Sequence, residues 1–281
     1  DNISGLNFGA SSKRYSPKND FDGDGKTDIA VYRPSDGNWY VLNSSTGAMS
    51  AFRFGAELDQ PVSGDYDGDG KTDYAVFRPS DSNWYIWQSS TQSLRVERFG
   101  LAGDKLVQAD YDGDGKTDVA VFRNGTWYIQ KSTDGTIAYL TFGFDTDTPV
   151  AADFDGDGKA DISVFRPSDR MWYIYRTSGN DLSAIPFGLD TDIPVQGDFD
   201  GDGKADVAQF RDGNWYIQNS TTGFEGFVFG LKTDQTVTGD FDGDGRVDTT
   251  VFRNGVWHIK NSSNESVRSI SFGLPTDIVI R

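Results

Sequence analysis

The sequence is dominated by a nine-residue segment that occurs six times along the chain. Its pattern is Asp-aromatic-Asp-Gly-Asp-Gly-basic-x-Asp, and successive copies begin 42 to 45 residues apart. A fixed period of this length indicates an array of one supersecondary unit, in which each unit buries its apolar surface against its neighbours. The fold must therefore be one that is built by repetition. The copies begin at Asp20, Asp65, Asp110, Asp153, Asp198 and Asp240.

Each unit carries three further landmarks after the Asp segment. A short apolar run comes first and ends in arginine, at Arg33, Arg78, Arg123, Arg166, Arg211 and Arg253. A polar turn and a tryptophan follow, at Trp39, Trp84, Trp127, Trp172, Trp215 and Trp257. A segment closing in Phe-Gly ends the unit and occurs seven times, at Phe8, Phe54, Phe99, Phe142, Phe187, Phe229 and Phe272. Agreement of six copies at four landmarks excludes a chance match.

Each unit predicts four β-strands, which we name A to D in chain order. The apolar runs are short, rich in Val, Ile and aromatic residues, and separated by Gly, Pro, Asn, Asp and Ser, as is typical of strands. Strand A is the Pro-Val segment, strand B ends in the arginine, strand C holds the tryptophan and strand D ends in Phe-Gly. The predicted fold is an all-β propeller of four-stranded blades, a single domain over residues 1–281, with an open β-solenoid as the alternative.

Six complete units predict six blades, but both ends of the chain carry surplus strand sequence. Residues 7–9 repeat a strand D, residues 277–280 repeat a strand A, and residues 11–19 stand where the first strand A is expected. Either the termini meet and close a six-bladed ring, or the surplus strands form a reduced seventh blade or pair with a neighbouring molecule. Because soluble proteins avoid unpaired strand edges, we expect a closed monomeric ring, with end-to-end self-assembly as the alternative.

The Asp segments have the pattern of a calcium-binding loop between strands. Positions 1, 3, 5 and 9 offer carboxylates, position 7 offers its backbone carbonyl, and Gly at positions 4 and 6 permits a sharp turn. Four carboxylates so close together would repel one another without a cation. Mg²⁺ demands a stricter octahedron, so Ca²⁺ fits better, and we expect about six Ca²⁺ ions, one per repeat. The predicted ligands are Asp20, Asp22, Asp24, Lys26, Asp28, Asp65, Asp67, Asp69, Lys71, Asp73, Asp110, Asp112, Asp114, Lys116, Asp118, Asp153, Asp155, Asp157, Lys159, Asp161, Asp198, Asp200, Asp202, Lys204, Asp206, Asp240, Asp242, Asp244, Arg246 and Asp248.

Composition and charge agree with this interpretation and exclude several classes of function. The formal net charge is −17, and 39 of the 43 acidic residues are Asp; six Ca²⁺ ions would reduce that charge to −5. The acidic balance argues against binding to nucleic acid, and no apolar run approaches the ~18 residues of a membrane span. The absence of Cys excludes a disulfide framework, a thiolate zinc site and a cysteine nucleophile, and the single His258 excludes a histidine metal cluster.

Calcium dependence also predicts where the protein works. Extracellular modules bind Ca²⁺ at roughly 10⁻⁴–10⁻³ M, a level that is met outside cells and not in cytosol. Together with the lack of Cys, this favours a secreted or cell-surface protein. The sequence begins at Asp1 without a visible signal peptide, as expected of a mature N-terminus.

Repeats of Phe-Gly, a Pro-Val strand and an Asp-x-Asp-x-Asp-Gly-x-x-Asp loop resemble the FG-GAP/VCBS family. That family includes the integrin α-subunit propeller and the Psathyrella-type propeller lectin. The resemblance covers residues 20–273 and implies a calcium-stabilised, extracellular binding protein and not an enzyme. The six full repeats of this chain differ from the seven blades that are common in those relatives.

Two classes of function follow from the sequence and the resemblance. The first is recognition of glycans or glycoproteins, as in a lectin or an adhesin; the second is a structural or assembly module of a surface layer or filament. The Asp loops and the C–D turns should share one end of the ring, and a lectin should expose aromatic rings at the other end. We expect the tryptophans to pack in the core between blades, with stacking on a sugar as the alternative role. We expect the strand-B arginines to pair with Asp36, Asp81, Asp169 and Asp212 in the B–C turns, with a ligand-facing role as the alternative.

Overall fold

The computed structural model describes residues 19–281, which form six antiparallel four-stranded sheets. The strands of the first three blades are β1 (Ile29–Arg33), β2 (Asn38–Leu42), β3 (Met49–Arg53), β4 (Gln60–Pro61), β5 (Tyr74–Arg78), β6 (Asn83–Gln88), β7 (Ser93–Arg98), β8 (Lys105–Leu106), β9 (Val119–Arg123), β10 (Thr126–Gln130) and β11 (Ile137–Thr141). The remaining strands are β12 (Thr148–Ala152), β13 (Asp161–Arg166), β14 (Met171–Arg176), β15 (Asp181–Pro186), β16 (Ile193–Gly197), β17 (Asp206–Arg211), β18 (Asn214–Asn219), β19 (Gly223–Val228), β20 (Gln235–Gly239), β21 (Asp248–Arg253), β22 (Val256–Lys260), β23 (Val267–Ser271) and β24 (Ile278–Val279).

The six sheets are the blades of a propeller ring, as the sequence predicts. Within a blade each strand pairs with the next one in the order A, B, C, D, so that a blade is an antiparallel meander. Blades two to six use consecutive strands, from β4–β7 to β20–β23. Within the described part of the chain, no helix is long and apolar enough to cross a membrane.

Six apolar clusters hold the ring together, and each cluster joins two neighbouring blades. In the cluster between blades two and three, Trp84 and Phe77 of one blade pack with Val119 and Val121 of the next. Strand B is buried on both of its faces because its side chains alternate between the two adjacent clusters. The predicted core role of the strand-C tryptophans is confirmed, since all six are fully buried. Among the described residues, the six Phe side chains of the Phe-Gly pairs are only half-buried.

The ring closes through the C-terminal end of the chain. Strand β24 pairs with β1, with Val279 opposite Val31, and so supplies strand A of the first blade. Val279 and Ile280 are buried, and the Ile280 amide donates to the Ala30 carbonyl at 3.1 Å. The C-terminal surplus strand therefore completes blade one of a six-bladed ring. The N-terminal surplus of residues 7–9 and nearly all of residues 11–19 lie outside the described residues.

The strand-B arginines are structural, but their main partner differs from the expected one. In blades two to six, each guanidinium donates at least two hydrogen bonds to a buried Asp in the D–A link, at N–O distances of 2.5–3.2 Å. This Asp lies 19 residues before the arginine in the sequence. Arg33 makes the same pair with Asp277 across the closure of the ring. The B–C turn residues stand farther away, with Asp36 at 3.9 Å from Arg33 and Asp169 at 3.7 Å from Arg166. The link residues are Asp59, Asp104, Asp147, Asp192, Asp234 and Asp277.

The link Asp both pairs with the strand-B arginine and closes the D–A turn. Its second oxygen accepts the amide of the residue after Phe-Gly, for example Ala56 to Asp59 at 2.9 Å, and so closes the D–A turn. Hydrogen bonds to these buried carboxylates raise the pKa of all six arginines. In five blades the guanidinium also covers a strand-C tyrosine ring, at 4.2–5.1 Å from the ring centroid. These arginines are thus engaged within the blade.

Deleting residues 276–281 should open the ring. The deletion removes β24, the Arg33–Asp277 pair and two buried aliphatic side chains, each of which contributes about 1.5–3 kcal/mol by burial. We expect a large fall in melting temperature in calorimetry, and aggregation in light scattering through the exposed edge of β1. Deleting Arg281 alone is the control and should change neither reading. A truncated protein that melts like the full chain would contradict closure by β24.

Candidate metal centres at the six Asp loops

The fold brings the carboxylates of positions 1, 3 and 9 together in the Asp loops. In the first loop, Asp20, Asp22 and Asp28 each offer one oxygen, and these oxygens lie within 4.8 Å of one another. The second to fifth loops repeat the arrangement with Asp65, Asp67 and Asp73, with Asp110, Asp112 and Asp118, with Asp153, Asp155 and Asp161, and with Asp198, Asp200 and Asp206. Each such cluster has the size and the donor atoms to hold a metal ion.

The loop backbone is wound around the position-1 carboxylate. In the first loop, Gly23 donates to Asp20 Oδ1 at 2.6 Å and Gly25 donates to Asp20 Oδ2 at 2.9 Å. Both glycines have φ above +80°, a conformation that a residue with a Cβ rarely adopts. The same two amide bonds recur in all six loops. Gly at positions 4 and 6 therefore permits the turn, as the sequence predicts.

The position-5 carboxylates lie outside these three-membered clusters. Asp24 accepts its own loop's Lys26 amide at 2.9 Å and the Ser44 hydroxyl at 3.0 Å. A hydroxyl of the C–D turn reaches the position-5 carboxylate in the same way in the second, third, fifth and sixth loops. The structure thus gives position 5 contacts within the protein, whereas positions 1, 3 and 9 converge.

The C–D turn is a part of the site that the sequence reasoning missed. The Ser44 amide donates to Asp28 at 2.7 Å, and the Ser45 hydroxyl donates to Asp22 at 2.6 Å. A Ser/Thr pair five and six residues after each tryptophan was the available signal. Because its hydrogen bonds fix the orientation of the converging carboxylates, this pair is a positioning element of the site. The pairs are Ser44 and Ser45, Ser89 and Ser90, Ser132 and Thr133, Thr177 and Ser178, Ser220 and Thr221, and Ser262 and Ser263.

Burial destabilises the ionised form of the carboxylates at positions 1 and 9. It raises the pKa of the position-1 residue in all six loops, against the opposing effect of the backbone amides. The position-9 pKa is raised for the same principal reason, and to about 6 for Asp73, Asp161, Asp206 and Asp248. Either a proton or a cation would relieve this cost.

The residues present fit a hard divalent cation. Three oxygen-only ligands converge in each cluster, and their charge is held where solvation is incomplete. In the fifth loop, Asp200 Oδ1 is buried and has no hydrogen-bond partner in the structure. A buried acceptor without a partner costs free energy, so this oxygen is suited to accept a cation.

The raised pKa values predict an unusual pH dependence for the cation-free protein. A carboxyl group with a folded-state pKa near 6 and an unfolded-state value near 3.9 destabilises the fold when it is ionised in both states. As the pH falls from 7 to about 4.5, the folded state takes up protons first, so the melting temperature in chelator should rise. In excess divalent cation the trend should reverse, because protons compete for the ligands. A melting temperature in chelator that falls steadily as the pH is lowered over this range would contradict the raised pKa values of these carboxyl groups.

Comparisons with known proteins agree with this geometry. Residues 20–76, 65–121, 110–164 and 153–209 each match the FG-GAP-like repeat, and together they span more than half of the chain. No curated protein sequence matches the chain significantly.

Solved structures with the same fold are distant in sequence. TolB from Acinetobacter baumannii aligns with 92% of this chain and 66% of its own, at 16% identity and a TM-score of 0.65. An Agrocybe aegerita lectin, described by its recognition of non-reducing terminal N-acetylglucosamine, aligns with 92% of this chain and 76% of its own, at 15% identity and a TM-score of 0.57. Virginiamycin B lyase from Staphylococcus aureus aligns with 93% of this chain and 86% of its own, at 8% identity and a TM-score of 0.58.

These identities establish a shared propeller fold and nothing about activity. The repeat matches are more informative, because they fall on the segments that form the Asp loops and the Phe-Gly strands. The chain belongs to the FG-GAP-like repeat family, with six repeats that form the six blades of one ring.

Proposed function

We propose that this protein is an extracellular, calcium-stabilised binding module that recognises glycans or glycoproteins. The proposal has two parts, a metal that stabilises the ring and a ligand that binds between blades. The converging carboxylates support the first part, since Ca²⁺ takes six to eight oxygen ligands in flexible geometry. In this proposal the position-7 backbone carbonyl adds a further ligand. Calcium is structural here, because the loops belong to the scaffold of every blade.

A cleft between the fifth and sixth blades is the observation that carries the second part. Its volume is about 200 Å³, comparable to one sugar ring. Phe227 forms an apolar wall, and the Lys260 ammonium lies 3.9 Å from its ring centroid. Asn219 and Asn261 also line the cleft, and the amide oxygen of each is buried without a hydrogen-bond partner in the structure. Amide groups beside an aromatic wall suit a polyhydroxylated ligand, whose hydroxyl groups can pair with amides.

The boundary between blades one and two is aromatic at the corresponding place, between a strand D and the next strand C. Phe52 and Phe54 of blade one face Trp87 of blade two, at ring-centroid distances of 5.4 and 6.3 Å. Tyr74 packs against Phe52 in a tilted arrangement at 4.8 Å, and all four rings are partly exposed. The flank of the ring thus presents aromatic surface for stacking, whereas the D–A links carry a single aromatic residue, Phe144.

Catalysis has less support than binding. The lyase shares the fold at 8% identity, and the only histidine of this sequence, His258, bonds through Nδ1 to the Ser269 hydroxyl at 2.8 Å. The lectin shares the fold at 15% identity and provides a precedent for glycan recognition on a propeller. Adhesion and a cell-surface location belong to the same proposal. If this protein bound no glycan and formed ordered multimers, the alternative function as an assembly module would be favoured.

Calcium should stabilise the ring strongly. A site that binds only the folded state adds about 2.7 kcal/mol when the ion is at 100-fold excess over Kd. We expect chelator to lower the melting temperature sharply, calcium to restore it, and titration calorimetry to give about six ions per chain. Magnesium at the same concentration is the control and should restore less. An identical melting curve with and without chelator would rule out the metal part of the proposal.

Removing one buried amide oxygen should separate binding from stability. Asn219→Leu keeps the number and branching of the side-chain heavy atoms and removes a buried acceptor without a partner, so the melting temperature should hold or rise. The affinity for glycans selected on an array in calcium should fall about tenfold, which corresponds to ~1.4 kcal/mol. Asn43→Leu, at the corresponding position of blade one, is the matched control and should bind as the unmodified protein does. Equal affinity of both variants would contradict ligand binding in this cleft.

A further inference from the structure

The six Asp loops are joined to one another by a closed circle of backbone hydrogen bonds. In every loop the amide of the position-8 residue donates to the carbonyl of the position-1 Asp in the preceding blade, at 2.6–2.7 Å. The bonds are Thr72 to Asp20, Thr117 to Asp65, Ala160 to Asp110, Ala205 to Asp153, Val247 to Asp198 and Thr27 to Asp240. The last of these crosses the closure of the ring, so the circle has no free end.

The donor and the acceptor of each bond are both tied to ligand positions. The acceptor carbonyl belongs to the position-1 residue, whose carboxylate lies in the ion cluster of its own loop. The donor stands between position 7 and position 9 of the next loop, and the position-9 carboxylate lies in that loop's cluster. A movement of the backbone at one cluster is therefore transmitted directly to the next.

The basic side chain at position 7 adds a second link in the same direction. Lys71 of the second loop lies across Gly23 of the first, so closely that a Cβ at Gly23 would stand 2.8 Å from Lys71 Cε. At the closure, the Lys26 ammonium donates to the Asp242 carbonyl at 2.9 Å. The same packing over a position-4 glycine is made by Lys116 on Gly68, Lys159 on Gly113, Lys204 on Gly156, Arg246 on Gly201 and Lys26 on Gly243.

We propose that the six cation sites are coupled around the ring, so that occupancy of one loop raises the affinity of its two neighbours. This inference rests on the proposed calcium binding and adds that the sites are not independent. Without an ion, repulsion within a cluster loosens its loop and hence the hydrogen bond that it shares with the next one. A bound ion fixes both. By linkage, each of two neighbouring sites changes the other's affinity by the same factor. Because the circle is closed, every loop has two such neighbours.

Calcium titration of the cation-free full chain tests the coupling directly. A coupling of fivefold or more per neighbour, within the usual range for linked sites, predicts a Hill coefficient of about 2 in equilibrium dialysis. The amides of the position-6 glycines donate to the position-1 carboxylates. Their NMR signals in a ¹⁵N-glycine-labelled sample therefore report ion binding in individual loops. Gly70, Gly158 and Gly245 serve for the second, fourth and sixth loops.

A single-site variant locates the coupling. Asp112→Asn should abolish binding in the third loop. It should also weaken the sites reported by Gly70 and Gly158, which are its neighbours, about fivefold or more. The site reported by Gly245, on the opposite side of the ring, should change least. Asp134→Asn is the matched control: it makes the same change of charge in the same blade, at an exposed residue that bonds only to Thr136, and it should leave every site unchanged.

The outcomes separate this inference from the proposed function. Cooperative titration with neighbour-specific weakening supports the coupling. Six ions bound with a Hill coefficient of 1 or below, and neighbours unaffected by Asp112→Asn, would overturn the coupling and leave calcium binding intact. A chain that binds no calcium would overturn both.

Discussion

Crowding of carboxylates in the Asp loops is the constraint on which the rest of this structure depends. Three acidic side chains converge within 4.8 Å in a partly buried place, where their charge costs free energy unless something positive is near. Backbone amides of the loop donate hydrogen bonds to the position-1 carboxylate, and hydroxyl groups of the C–D turn donate to other carboxylates of the loop. A basic residue stands at position 7. None of these supplies a full charge at the centre of the cluster. A cation at that place would supply it, and the same arrangement of carboxylates repeats from blade to blade.

The two ends of the ring solve the same electrostatic problem in different ways. At the loop end, the acidic groups converge on a place that an external cation fits. At the other end, each buried link Asp has a permanent partner, because a strand-B arginine meets it with two parallel hydrogen bonds. Asp277 and Arg33 show why this matters, since their pair spans the closure of the ring. The loop end has a place for an external cation. At the other end, the ion pairs hold the D–A links against strand B without any bound ion.

The sequence alone predicted the repeat, the four-stranded blade and the acidic loop, because each depends on local patterns that recur with a fixed period. It left the ring closure open between two interpretations, and the pairing of Val279 with Val31 decides for six blades. The main partners of the arginines were not predicted, although an Asp stands five residues after six of the seven Phe residues of Phe-Gly. Of the predicted B–C turn partners, Asp36 and Asp169 lie within ion-pair distance of their arginines. Proximity in sequence favoured the B–C turn, whereas the D–A link comes close only after strands A and B have paired. The hydrogen bonds between loops depend on the position of one blade against the next, which no local pattern records.

Comparison of the repeats with one another separates a constant core position from a variable one at the surface. The strand-C tryptophan is the same in all six blades and fully buried, as inter-blade packing requires. The residue three places later is only partly buried in every blade, and it differs in almost every copy. It is Leu42, Trp87, Gln130, Tyr175, Gln218 or Lys260. A position that only filled space would call for side chains of similar size and polarity. Its range from aromatic to cationic instead gives six equivalent boundaries of one ring different surface chemistry on a common frame.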